Sequence, residues 1–152
     1  MSTPRKPQPD AATVGHRRRL VELDDAACWE RLETAFIGRI IRIVRGEPEV
    51  SVVSIGIDDG AVVMRSTTGT RLSATLASPG VPAVLEVDDL DARAGTGWSV
   101  VARGTLTPVL GLIEATHLDR TQAPSWLLGD TEGTWVRFEI ARMTGRELVD
   151  PR

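Results

Sequence analysis

Residues 38–66 read "GRIIRIVRGEPEVSVVSIGIDDGAVVMRS", and the way this stretch divides decides the fold. Three runs rich in Ile and Val, at 38–45, 49–57 and 61–66, are separated by the turn signals "GEP" and "DDG". β-Branched residues pack well on a pleated surface and are disfavoured in helices, so the runs predict a meander of three antiparallel strands. Each run is apolar on both faces, which fits a sheet covered on both sides, by a core within and something else without. In a chain of 152 residues, the outer cover could be a second copy of the same chain.

Upstream, Asp24 suits the N-cap of a helix in "DDAACWERLETAF" (24–36), with acids in its first turn and Cys28, Leu32, Ala35 and Phe36 at helical spacing. Gly38 is placed to end that helix. Residues 1–16 mix Pro, Ser, Thr, Gln and charge with little apolar content and read as a disordered tail, leaving one folded domain over 17–150. The basic cluster "HRRR" (16–19) reads as a solvated linker beside that tail.

Downstream, "GTRLSATLAS" (69–78) predicts a short helix stopped by Pro79 and Gly80. "VPAVLEVDD" (81–89) alternates, with Ala83, Leu85 and Val87 on one face. In "TGWSVVARGTLTPV" (96–109), Trp98, Val100, Ala102 and Leu106 point one way and Ser99, Arg103, Thr105 and Thr107 the other. Leu110, Ile113, His117 and Leu118 suggest a helix across 110–120, and "APSWLLGDTEG" (123–133) an irregular excursion. "TWVRFEIARMTGREL" (134–148) completes the fold, with Val136, Phe138 and Ile140 facing in and Arg137 and Glu139 out. The sum is a mainly β fold, a six-stranded antiparallel barrel with a few helices at strand crossings.

Composition narrows the chemistry. A net charge of −3 provides no global basic field to recruit nucleic acid. No run of 18 apolar residues and no signal-like N-terminal stretch occurs, which favours a cytoplasmic protein without a membrane span. Cys28 is the only cysteine, so an internal disulfide and a multi-cysteine zinc site are excluded, and no metal is expected. Lys6 is the only lysine and lies in the tail, which removes Schiff-base chemistry and a phosphate-loop lysine from the domain. An anion bound by the domain must therefore rely on arginine, hydroxyls and backbone amides. No nucleophile elbow or proton relay is evident. His117, Cys28 and the acids Glu86 and Asp88 read as structural or solvated.

The corner "MRSTTGTRLSA" (64–74) concentrates such donors between a strand and the start of a short helix. Gly69 allows close backbone approach, Thr70 and Arg71 fall in the first helical turn, and Arg65, Ser66 and Thr67 end the strand. Two readings stand: a phosphate cradle at a helix N-terminus, or a hydroxyl-rich capping turn with solvated arginines.

The order of elements from Val21 to Leu148 resembles the pyridoxamine 5′-phosphate oxidase-like family, most specifically in "GTRLSA", "TGWSVVARG" and the "MTGR" near the end. The resemblance implies a split β-barrel that binds FMN or, in some branches, a deazaflavin coenzyme. It implies that Arg65, Ser66, Thr67, Thr70 and Arg71 hold the phosphate. Backbone groups of Val52, Val53, Ser54 and Ile55 would run along the isoalloxazine ring, with Trp98 near the cofactor or anchored in the core. Trp126 and Trp135 would line the open face of that ring or pack the excursion between them. It further implies a homodimer with the cofactor at the interface and a small-molecule substrate. Arg71 stands where the family usually has lysine, and "VVSIG" stands where it often has Pro and Asn, which removes an amide from the edge of the ring. The expected function is an FMN-dependent oxidoreductase moving hydride between a reduced cofactor and a small acceptor. The alternative is a non-catalytic flavin or deazaflavin carrier or sensor on the same barrel.

Overall fold

The computed structural model describes residues 18–67, 80–122 and 133–150. These form β1 (Arg19–Leu23), α1 (Asp25–Thr34), β2 (Ile37–Val44), β3 (Glu47–Asp58), β4 (Ala61–Thr67), β5 (Val81–Asp91), β6 (Thr96–Pro108), α2 (Leu112–Thr121) and β7 (Gly133–Val149). The sheet order is β1-β7-β4-β3-β2-β5-β6, and β6 also pairs with β7, so six strands close into a ring with β1 added outside it. The barrel is the one expected. The predicted helix at 69–78, the tail at 1–16 and most of the excursion at 123–133 lie outside the described residues.

The meander forms where its residues place it. Val44 pairs with Glu47 and Asp58 with Ala61, so each hairpin has a two-residue loop, Arg45–Gly46 and Asp59–Gly60. All four loop residues have positive φ, the conformation whose twist matches the flanking strands. The inward faces build one core: Ile40, Val53, Ile55, Val62, Met64, Leu85, Val100, Leu106 and Phe138, with Cys28 and Leu32 of α1 packed against it. A register shift at Arg103/Gly104 passes over Ala141, so inward parity on β7 moves from Val136 and Phe138 to Met143.

Three features differ from the sequence reading. β1, "RLVEL", was not anticipated because five residues with two charges carry little strand signal. It forms because β7 is 17 residues long and offers an edge over Gly145–Val149 beyond its pairing with β4. Asp24 caps α1, its Oδ1 accepting from the Ala27 N–H at 2.8 Å, but the C-cap is Ala35 and not Gly38. Gly38 faces inward on β2, where a Cβ would lie 2.8 Å from Leu85 Cδ1, so close packing is its role. Finally, α2 covers the outer face of β4 and β7 with a second small cluster of Val63, Val109, Leu118 and Trp135. The chain itself supplies that half of the outer cover. On β2 and β3, Ile43, Val50 and Val52 remain 66%, 60% and 56% exposed. Among the described residues, no helix is long and apolar enough to cross a membrane.

Candidate functional site

β3 pairs with β2 over Glu47–Ser54 and with β4 only from Ile55 to Asp58. Beyond Met64, β4 continues with β7 as its neighbour. Among the described residues the barrel is therefore split between the first part of β3 and the end of β4. The Ile55 N–H donates to the Phe36 carbonyl at 3.0 Å, which sets the parity of β3. Ile55 and Val53 turn their backbone groups toward β2 and their side chains into the core. Val52 and Ser54 turn their backbone groups toward the split and their side chains outward.

On the outer face, a cleft of about 250 Å³ opens between the C-terminal ends of α1 and α2. Its lining includes Phe36, Ser54, Gly56, Arg65, Gln122 and Trp135. The Arg65 guanidinium carbon lies 5.6 Å from the centroid of the Trp135 ring, a cation–π distance. Asp119 orders the pair: Trp135 Nε1 donates to its Oδ1 at 2.8 Å, and Arg65 Nη1 lies 3.8 Å from the same oxygen. Trp135 thus lines the cleft and packs with Val63, Val109 and Leu118 beneath α2.

Gln122, just past α2, is a cleft residue the sequence reading missed. Its Nε2 donates to the Ile57 carbonyl at 3.2 Å, and its side chain lies across Gly56, where a Cβ would come 2.0 Å from Oε1. A glycine inside a Val/Ile strand signals such a close approach, and that signal was present in "VVSIGI". Gln122 thus brings a side-chain amide to the cleft wall from the C-terminal end of α2.

The predicted phosphate ligands are not all brought together. Arg65 faces the outer cleft, whereas Ser66 faces inward, 2% exposed, its Oγ donating to the Thr134 carbonyl at 3.4 Å. Thr67 is the last residue of β4 and pairs with Gly133. Thr70, Arg71 and Trp126 lie outside the described residues. Trp98 is 9% exposed within the barrel core and does not line the cleft, which is the core-anchor alternative considered for it.

Toward the β2–β3 hairpin, Arg42 follows Gly38 and Ile40 on the inward face of β2 and is only 2% exposed. Nη1 donates to Ser51 Oγ at 3.2 Å, while Nε and Nη2 have no hydrogen-bond partner. Burial pulls this guanidinium below its usual value, opposed by the charge of Glu49 across the β2–β3 ladder. Each buried donor left unmade costs about 1–3 kcal/mol. The run 38–45 reads as apolar on both faces, which hides Arg42; it shares the parity of Ile40.

A second charged group fastens α2. Asp58 Oδ1 lies 2.9 Å from His117 Nε2, and Oδ2 accepts from Arg137 Nη2 at 2.9 Å. Glu114 Oε1 accepts from Arg137 Nε and Nη2 at 3.0 and 2.8 Å. The Arg137 hydrogen bond, then that of His117, holds the Asp58 carboxyl below its ordinary value.

Residues 24–147 match the sequence model of a family described as pyridoxamine 5′-phosphate oxidase. The chain is 33% identical over 135 residues to an uncharacterised protein of Mycobacterium tuberculosis, covering 87% of this chain and 88% of that one. Among solved structures it resembles an FAD-binding protein of Mycobacterium smegmatis, with 26% identity, a TM-score of 0.68, and coverage of 84% of this chain and 96% of that one. It also resembles a conserved protein of Corynebacterium diphtheriae, with 26% identity, a TM-score of 0.70, and coverage of 86% and 98%.

Proposed function

Because the chain belongs to the pyridoxamine 5′-phosphate oxidase family, we propose that it binds a flavin across the split of its barrel. We take the flavin to be FMN, with a deazaflavin coenzyme as the alternative, and the function to be hydride transfer between a reduced cofactor and a small acceptor. The observation that carries this reading is the split that opens where the β3–β4 ladder ends at Ile55, with Val52 on its edge and the Arg65–Trp135 wall beside it. A flat heteroaromatic ring with polar edges needs backbone donors and acceptors along one side and a stacking or cationic surface on another. The relative from Mycobacterium smegmatis binds FAD, which supports a flavin over an unrelated ligand.

The residues present fit such a group. Backbone atoms of Val52 and Ser54 would meet the edge of the ring, and the Gln122 amide would supply a further polar contact from α2. Thr70 and Arg71, with amides after Gly69, would supply positive field toward the phosphate, while Arg65 on the cleft wall would face the ring. When bound, the flavin supplies the redox chemistry, and the chain binds and orients it. The exposed Ile43, Val50 and Val52 beside the split favour a homodimer that covers them and closes over the cofactor. A cytoplasmic location accords with this reading.

Titration of the purified protein with FMN, FAD and the deazaflavin, read by flavin fluorescence and absorbance, tests the reading. At least one should bind at micromolar concentration; binding of none at high micromolar concentration overturns it. Arg71→Ala should weaken FMN far more than riboflavin, and equal losses would remove Arg71 from the phosphate. Multiple rounds of flavin reduction by NAD(P)H or a deazaflavin donor mark an enzyme, while one reduction per bound cofactor marks a carrier or sensor. Light scattering should give twice the chain mass; a monomer at micromolar concentration would remove the dimer.

A further inference from the structure

We infer that Arg42 is the buried cation of an oxyanion site at the inner end of the split, and that its ligand is a phosphate group. The flavin's phosphomonoester and free phosphate share this chemistry, and assigning the first rests on the function proposed above.

Three observations carry the inference. The orphaned donors are Nε and Nη2, which form one edge of the guanidinium with parallel N–H bonds. That edge is the fork that grips two oxygens of a phosphate or carboxylate. The third nitrogen, Nη1, donates to Ser51 Oγ at 3.2 Å, which leaves the opposite edge of the buried guanidinium without a hydrogen-bond partner. Glu49 stands opposite in the β2–β3 register, and with it in place the two donors still have no acceptor. The site's position is also marked. The β2–β3 hairpin, the last residue of β4 and the first of β5 all lie at one end of the barrel. The described residues that flank 68–79, Thr67 and Gly80, therefore lie toward the end where Arg42 is buried. Ser66 points inward on β4.

This divides the labour among the arginines. Arg65, outward and stacked on Trp135, belongs with the ring-sized cleft, and Arg42, inward and unpaired, belongs with the phosphate. An Arg42 held for an anion should be dispensable to the empty protein, because an unbranched apolar side chain can replace an unsatisfied charge.

The test compares wild type with Arg42→Met and Arg42→Gln. Affinities for FMN and riboflavin are measured by fluorescence, and melting temperatures without ligand and with inorganic phosphate. Arg42→Met should weaken FMN at least about 10-fold, the loss of a charge-assisted fork, with riboflavin within about 2-fold. The ligand-free Arg42→Met protein should melt no lower than wild type, and inorganic phosphate should raise the melting temperature of wild type alone. Arg42→Gln should lose FMN similarly. Equal losses for FMN and riboflavin, or unchanged FMN binding in both variants, overturn the assignment while leaving the flavin reading standing. If wild type binds no flavin but phosphate still stabilises it through Arg42, the flavin reading falls and the anion site stands. A ligand-free Arg42→Met protein that melts well below wild type shows a structural guanidinium and overturns the inference.

Discussion

Arg137 on β7 and Arg42 on β2 are both guanidinium groups drawn out of water, one on the outer face beneath α2 and one on the inner face. Arg137 donates from Nε and Nη2 to Glu114, from Nη2 to Asp58 Oδ2, and from Nη1 to the Asp58 carbonyl. Burial pulls it down, yet its hydrogen bonds to Asp58 and Glu114 raise it above its usual value. Arg42 has one neutral acceptor, two orphaned donors and a value lowered by burial. One cation is satisfied by the folded chain, and the other is left with donors to give. Folding accounts for the first; the second is accounted for by a ligand.

The contrast can be broken or sharpened by a graded series of measurements. Arg137→Met should destabilise the protein by about 2–4 kcal/mol in urea unfolding, because it strands Asp58 and Glu114 and unfastens α2. Arg42→Met should change the stability of the ligand-free protein by less than about 1 kcal/mol, or raise it, since the losses are confined to the Ser51 hydrogen bond and the charge facing Glu49 while two unfilled donors are removed. Similar losses for the two variants would erase the distinction.

The Asp58 tie predicts a pH dependence of known sign. Its folded value is depressed, so its contribution to stability is complete above the ordinary carboxylate value, near pH 4, and is lost as pH falls through the lowered value. Wild type should therefore lose stability on acidification below about pH 4, and Asp58→Asn should show a shallower loss in the same window. An unchanged acid profile in Asp58→Asn would show that the tie contributes nothing. The smallest effect is expected for Gln122→Ala, about 0.5–1.5 kcal/mol in stability from the hydrogen bond to Ile57. Its loss in flavin affinity should be the same for FMN and riboflavin, because the amide lines the cleft and not the phosphate end.

Much of the fold was legible because its signals are local. The Ile/Val runs and two-residue turns gave β2, β3 and β4 within a residue or two, and Asp24 marked the start of α1. What escaped depends on the closure of the barrel. β1 exists only because β7 outruns β4, and Gly38 is explained only by Leu85 on a strand some fifty residues later. The apolar outer face of β4 signalled a cover but not its source, which is α2. Of the candidate site, the sequence indicated Arg65, Ser54 and the edge of β3. It did not indicate that Arg65 and Ser66 face opposite sides, although alternation along β4 requires it. Arg42 was hidden for a related reason. A charge in "GRIIRIVR" reads as solvated unless parity is followed from Ile40 into the core, and its missing partners appear only once the strands around it are placed.

The central claim is that this end of the barrel is built for a flavin's phosphate. Its most direct test is the ratio of FMN to riboflavin affinity in the wild-type protein, measured under identical conditions in phosphate-free buffer. The account predicts that FMN binds at least about 10-fold more tightly, as charge-assisted bonds to the phosphate require. Equal affinity for the two would contradict it.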